Sequence, residues 1–365
     1  MRKFIAFLLV LFFVVTLPIA LLMFNVGRVI FDKALVKQVV AREVTESNLI
    51  PVTLRWFAQR RAQERVMTGE AKTAISEPDT LKALQFPTVE HWRQIRAEAM
   101  PNQFLTIWVS VTLDSVYAWL DTKDPLPNVI LDLKPWKDYN RSAHGHQAIQ
   151  IVYSTLPPCQ QADIDDFLKR LNAAPPGQEI LYNLYTPCMF PDPWRPDQNQ
   201  DYLNERDKII DTAPNFFALT QELARVEKES GVGAANIKQQ ILLFRTLAQW
   251  SILGPILILL LLVLLAWRSR FDFARWLGAP ILVGGVLSLL PTLIYQPIVN
   301  AVLTAGPMSE VPREVQTEFT RAFGVLLAEI FNPMLLQSAV ILLIGLAIAA
   351  IGLFGKPRIS QSVNQ

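Results

Sequence analysis

The stretch WSILGPILILLLLVLLAWRSRFDFARWLGAPILVGGVLSLLPTLI, residues 250–294, decides what kind of protein this is. Two runs free of charged residues, 250–267 and 276–294, flank a short loop, 268–275, that holds Arg268, Arg270 and Arg275. Further uncharged apolar runs lie at 4–24 and 333–354. Each is roughly 18 residues or longer, which is what a helix needs to cross ~30 Å of hydrocarbon. Four transmembrane helices are therefore expected. Their spacing is lopsided: about 225 residues separate the first run from the second, whereas the last three follow one another closely. The layout predicts a mainly α membrane protein, with one large water-exposed domain between spans 1 and 2.

Charge placement orients the spans. Arg2 and Lys3 precede the first, the three arginines fill the loop between the second and third, and Lys356 and Arg358 follow the fourth. If every run spans, all three groups fall on one side, and by the positive-inside rule that side is the cytoplasm. The expected location is the cell membrane, multi-pass, with residues 1–24 as a signal anchor and 355–365 as a cytoplasmic tail. Residues 25–249 and about 297–332 are then extracytoplasmic. A cleaved signal peptide is the alternative for the first run. Its length of about 21 residues and the lack of an A-x-A-like site near Leu17 favour an uncleaved anchor. Composition agrees: 51% of residues are hydrophobic and 18% charged, against about a quarter charged in soluble domains. A net charge of +2 is too small to indicate a nucleic-acid partner.

Trp250 and Trp267 lie ~25 Å apart along a helix at 1.5 Å per residue, so each indole is expected at a bilayer interface, with Trp276 marking the return into the membrane. Gly345, Ala349 and Gly352 on the fourth span, with Gly278, Gly284 and Gly285 on the third, form a seam of small residues. Such a seam lets helix backbones approach closely, within the bundle or in a homodimer. No Asp, Glu, Lys, Arg or His lies inside the spans, although ionisable groups at that depth mark ion-coupled pathways. Gln337, Ser288, Thr292 and several prolines are mild exceptions to their apolar character. An autonomous ion-coupled transporter is not expected.

The exported segment 25–249 is long enough for its own core and reads as mostly helical α+β. Residues 25–44 extend the first span as a helix until Glu46, Ser47 and Asn48. Residues 51–67 form a charged helix, and 69–84 a loop. Thr88 starts a helix with Glu90 in its first turn. Leu105, Val109, Leu113, Val116 and Leu120 step along one helical face. Residues 128–134 read as a strand, 140–146 as a loop, 147–154 as a helix, and 189–200 as a loop. Residues 215–228 are helical until Gly231 and Gly233. The stripe Ile237, Ile241, Phe244 and Leu247 then leads into the second span. A single helix over 236–267 would be ~48 Å long, standing above the membrane as a stalk that packs on the end of the first span. Between spans 3 and 4, an amphipathic helix is expected over about 311–331.

Cys159 and Cys188 are the chain's two cysteines. Both lie in the exported segment, where cysteines usually pair. The short helix Ile164, Phe167, Leu168, Leu171 and a turn at Pro175, Pro176 and Gly177 lie between them, and a structural disulfide is expected. His144-x-His146 resembles a metal pair, but it sits in a loop-like context with only His91 besides. Asp163, Asp165 and Asp166 lack the glycine and spaced oxygens of a calcium loop and suit the first turn of a helix. No nucleophile elbow, phosphate-binding glycine loop or zinc-protease motif is present. No catalytic, cofactor-binding or metal site is expected.

Two resemblances follow. Trp119 with Leu120, ILDLKP at 130–135, LPPC at 156–159 and RWLG at 275–278 resemble segments of uncharacterised bacterial four-span membrane proteins with a large exported domain, which imply no particular function. The order of one span, a large outer domain and three closing spans is also similar, in topology alone, to MacB/FtsX-like permeases of ABC systems. That likeness implies an outer domain and stalk moved by a cytoplasmic ATPase. The expectation from the residues is a non-enzymatic integral membrane protein in the lipid bilayer whose outer domain binds or scaffolds a protein partner. A permease or accessory subunit of an ABC-type system is the alternative.

Overall fold

The structure is a computed structural model that describes residues 2–68, 79–173, 187–231, 233–266, 270–306, 308 and 311–354. It is mostly helical, at 83%. The elements run α1 (Arg2–Ile30), α2 (Lys33–Glu46), α3 (Leu49–Thr68), α4 (Asp79–Ala83), α5 (Val89–Ala99), α6 (Asn102–Asp121), β1 (Ile130–Asp132), α7 (Lys134–Asn140), α8 (Ala143–Ser154) and α9 (Gln161–Ala173). After these come α10 (Arg195–Thr212), β2 (Phe216–Ala218), α11 (Leu219–Ser230), α12 (Ala234–Trp250), α13 (Leu253–Ala266), α14 (Arg270–Ala305) and α15 (Arg313–Phe354). They divide into two compact units. The first comprises Met1–Val39, Gly231–Ser309 and Phe323–Gln365; the second comprises Val40–Ser230 and Glu310–Ala322.

Among the described residues, four helical segments are long and apolar enough to cross a membrane: Phe4–Ile30, Ala234–Leu265, Trp276–Ala305 and Arg313–Gly352. In the first unit they pack around Phe13, Leu17 and Leu21 of α1, Leu262 of α13, Leu277 and Ile281 of α14, and Met334 of α15. The opposite faces carry Leu264, Leu293 and Leu336, which are 68%, 67% and 70% exposed. An apolar surface of that kind suits hydrocarbon as its solvent and not water.

Gly278, Gly285 and Gly345 close a seam between α14 and α15, whereas Gly284 faces Leu17 of α1. A methyl group on Gly278 would come 2.5 Å from the Ala349 nitrogen, and one on Gly285 2.9 Å from Leu342 Cα. Gly345 meets the Leu282 backbone in the same way. Where neither helix gains by leaving water, this close backbone approach supplies the dispersion contact that holds them. A side-chain bond adds to it. Asn25, wholly buried, donates from Nδ2 to Leu21 O at 2.8 Å and to Gln337 Oε1 at 2.7 Å, tying α1 to α15.

The second unit has two cores. Trp92 and Ile95 of α5, Val152 and Tyr153 of α8, and Tyr202 of α10 form the larger one. The smaller gathers Phe167 of α9 with Cys188 and Phe190. Cys159 and Cys188 form a disulfide, beside a parallel bridge in which Cys159 N–H donates to Met189 O at 3.0 Å and Met189 N–H to Pro157 O at 2.7 Å. Gln198, wholly buried, bolts this corner together. Its Nε2 donates to Cys188 O (2.7 Å), and its Oε1 accepts from Phe190 N–H (3.0 Å) and Tyr153 O–H (3.1 Å). The first turns of α15 belong to this unit, where Glu314 pairs with Arg55 at 3.0 Å and Arg321 with Glu43 at 3.5 Å.

Several expected elements differ in extent. The helical extension of the first span breaks at Phe31 and Asp32, because the Asp32 carboxylate accepts from Leu35 N–H at 3.0 Å and starts α2 as a cap. Residues 79–83, within the expected loop, form α4; 69–78 lie outside the described residues. The expected loop 140–146 is largely helical: Ser142 caps α8, and Asn140 turns inward to donate to Ala99 O at 2.9 Å and Trp136 O at 3.0 Å. Helix α10 begins at Arg195, inside the expected loop 189–200, since Pro196 in a first turn costs no hydrogen bond. Residues 216–218, read as helix, are strand β2. The single stalk-and-span helix is interrupted at Ser251 and Ile252, where Pro255 has no N–H to offer the Ser251 carbonyl. The amphipathic helix 311–331 does not end before the fourth span; α15 runs through Pro333 without a break. The turn at 175–177 lies outside the described residues.

Candidate functional site

The most distinctive surface of the second unit is built on its smallest element. Strands β1 and β2 pair antiparallel, Ile130 with Ala218, Leu131 with Phe217 and Asp132 with Phe216. Side chains on a strand alternate, so Ile130, Asp132, Phe216 and Ala218 share one face, and Leu131 and Phe217 the other. The first face is outward: Phe216 is 62% exposed and Ile130 49%. Phe217 is also exposed, as is Ile107 on α6. A ribbon of two three-residue strands is marginal in water by itself, so something else must hold this one.

What holds it is polar. Leu133 N–H donates to Asn215 O at 2.8 Å at one end, and Leu219 N–H to Val129 O at 3.0 Å at the other. Thr220 Oγ1 accepts from Val129 N–H (2.9 Å) and donates to Pro127 O (2.8 Å). At the turn that enters β2 lies Lys137 of α7, only 4% exposed. Its ammonium donates to Ala213 O at 2.6 Å and to Asn215 Oδ1 at 3.1 Å. Ala213 is the C-cap of α10, so the cation sits at the negative end of that helix, where it is favoured. Lys137 thereby fixes the turn that leads into β2.

The residues singled out from the sequence fall elsewhere. Trp250 is 63% exposed and Trp276 half-buried; Trp267 lies outside the described residues. His144 stacks on Tyr139 with ring centroids 4.6 Å apart, and its Nδ1 lies 2.9 Å from Glu98 Oε2. His144 and His146 are two apart on α8, and such positions do not face each other on a helix. His91 serves the capping box of α5 with Thr88. Asp163 accepts from Gln160 N–H at 2.9 Å and Asp165 from Gln161 Nε2 at 2.9 Å, as residues of a helix start. Among the described residues, no three His, Cys, Asp or Glu side chains group as metal ligands. Burial, and then the Glu98 carboxylate, raise the Tyr139 phenol above its ordinary pKa.

Phe216, Phe217 and Lys137 were not singled out by sequence reading. The available signal was Pro214 followed by two aromatic residues, a turn leading into a β-favouring pair. Comparison with family models, curated proteins and solved structures found no match.

Proposed function

We propose that this chain is a multi-pass protein of the cell membrane, with both termini in the cytoplasm, whose exported domain binds a protein partner through the ribbon of β1 and β2. The arginines and lysines at residues 2–3, 268–275 and 356–358 support the orientation. The disulfide supports it independently, since cystine persists in oxidising compartments. Reporter fusions after residue 200 should read outside and fusions after residue 360 inside.

The observation that carries the binding role is an exposed apolar ribbon whose entry turn is held by a buried cation. Keeping Phe216 and Ile130 in water forgoes the gain of burying them, and Lys137 commits a buried charge to their support. A partner segment in extended conformation would cover Phe216 and Ile130 on their shared face and add main-chain hydrogen bonds at a strand edge. A photo-crosslinking residue at position 216, incorporated in intact cells, should give one discrete exported adduct. Ile130→Asp should abolish that adduct, whereas Arg225→Gln on α11 should leave it. Only the unlinked monomer at position 216 would refute the reading. Co-purification of a cytoplasmic ATPase, with no adduct at 216, would shift it to the permease of an ABC-type system.

A further inference from the structure

The first unit holds a cavity of about 590 Å³ where the end of α1 and the start of α2 meet α12. It is lined by the charged residues Arg28, Lys33, Arg245 and Asp32 together with the aromatic residues Phe24 and Phe31. The helices touch at Gly27, where a methyl group would come 2.5 Å from Ala248 Cβ. Phe31 and Phe244 keep contact further along, with centroids 6.2 Å apart. The Arg245 guanidinium lies 5.6 Å from the centroid of the Phe31 ring, which holds this planar cation in place. The lining thus brings three cationic side chains and one carboxylate to a single cavity, and one Asp32 oxygen accepts from Leu35 N–H.

The level of the cavity narrows the ligand. Phe24 ends the apolar run of α1, and Trp250 begins the apolar run that continues through α13. Arg28 lies ~6 Å beyond the first and Arg245 ~7.5 Å beyond the second, at 1.5 Å per residue. The headgroup layer of one leaflet is about 5–8 Å thick. The cations therefore sit where lipid phosphates lie, and Phe24 sits where acyl chains begin. A lone inorganic phosphate would leave the aromatic residues unused. We infer that this cavity binds an anionic membrane phospholipid, its phosphate among Arg28, Lys33 and Arg245 and its glycerol backbone against Phe24 and Phe31. A lipid held there would fill the notch between α1 and α12 at the membrane surface.

The test uses the full chain, stripped of lipid in mild detergent and titrated with phosphatidylglycerol, phosphatidylcholine, glycerol phosphate or inorganic phosphate, with adducts counted by native mass spectrometry. Phosphatidylglycerol should bind and phosphatidylcholine should not saturate. The Arg28→Gln, Arg245→Gln double variant should weaken binding about thirtyfold, from roughly fivefold per cation at a membrane surface. Arg225→Gln should leave it unchanged. Should the double variant fail to fold, Arg28→Gln alone, on an exposed residue, should weaken binding about fivefold, and Arg245→Lys, which keeps the charge, should retain it. Equal binding of the two lipids, or undiminished binding by the folded Arg28→Gln chain, overturns the inference. Competition by inorganic phosphate or glycerol phosphate at the same concentration as the lipid overturns it too, making the site one for soluble anions.

Discussion

Replacing Lys137 by methionine tests whether a buried cation holds the ribbon. The substitution keeps the length and apolar stem of the side chain and removes the ammonium. Lost with it are the donors to Ala213 O (2.6 Å) and Asn215 Oδ1 (3.1 Å). Hydrogen bonds from a charged group contribute ~1.5–3 kcal/mol each, and orphaned buried acceptors cost ~1–3 kcal/mol each. Relief from burying an ammonium offsets several kcal/mol of this at the upper end. A net destabilisation of about 2–3 kcal/mol remains. For a unit of about 200 residues, each kcal/mol lowers Tm by about 2–4 °C, giving a fall of about 4–12 °C. Differential scanning fluorimetry of the full chain in detergent measures it. The exposed neighbour Lys134→Met provides the control and should move Tm by about 1–2 °C or less, as surface substitutions do. Hydrogen exchange sharpens the test, because the Leu133 and Leu219 amides close the two ends of the ribbon. Both should exchange faster in Lys137→Met, and crosslinking from position 216 should fall with them. An unchanged Tm together with unchanged exchange at Leu133 would refute the support assigned to Lys137.

Four other outcomes follow from the same structure. Cys159→Ser with Cys188→Ser should destabilise the second unit by about 3–4 kcal/mol on chain-entropy grounds, and reduction of the wild type should reproduce the loss in a denaturant titration. Gly345→Val should reduce the yield of folded protein, because its side chain meets the Leu282 backbone and overpacking costs ~1–3 kcal/mol; Gly324→Ala, with open space around it, should be neutral or stabilising by up to ~1 kcal/mol. Gln337→Leu or Asn25→Leu alone should cost about 1–2 kcal/mol in detergent unfolding, and the double variant less than their sum, the sign of a shared bond. Burial raises the Tyr153 phenol above its ordinary value of 10.0, with Arg195 opposing and Asp192 adding. The neutral form is thus favoured on folding, so its stabilisation is complete below about pH 10 and lost above it, and Tyr153→Phe should flatten that alkaline limb.

What was legible in the sequence was local or periodic. The stripe from Leu105 to Leu120 repeats at helical spacing, and α6 follows it. Thr88 can cap only what comes after it, and it does. The four apolar runs needed length and composition alone. Features that failed to read depend on partners far away along the chain. Phe216 to Ala218 has helix-compatible neighbours on both sides and becomes a strand because β1, more than 80 residues earlier, offers it a ladder. The first turn and a half of α10 reads as part of a polar loop, since its apolar residues are sparse; Tyr202, further along, becomes core only when α8 is beside it. The break at Ser251 was legible in principle through Pro255, but an apolar run of that length masks a single missing N–H.

The candidate site was illegible for a related reason. A lysine next to Trp136 and Asp138 reads as an exposed charge, and nothing near it in sequence says that its ammonium will be sealed under a turn 76 residues away. Asn25 is the mirror case. As the first polar residue after an apolar run it reads as the point where the chain leaves the bilayer, yet it is wholly buried and bonded to Gln337, 312 residues distant. Both side chains are costly to bury unpaired, and both are buried where they join segments that the chain order keeps apart. That shared economy separates them from the surface charges of α3 and α11, whose pairs lie three or four residues apart or in solvent and contribute little. A polar residue retained in a buried position at such cost marks a geometry the fold must keep. In the second unit that geometry presents Phe216 and Ile130, and for this reason the ribbon, not the histidines or the aspartate cluster, is the surface on which a partner should be sought.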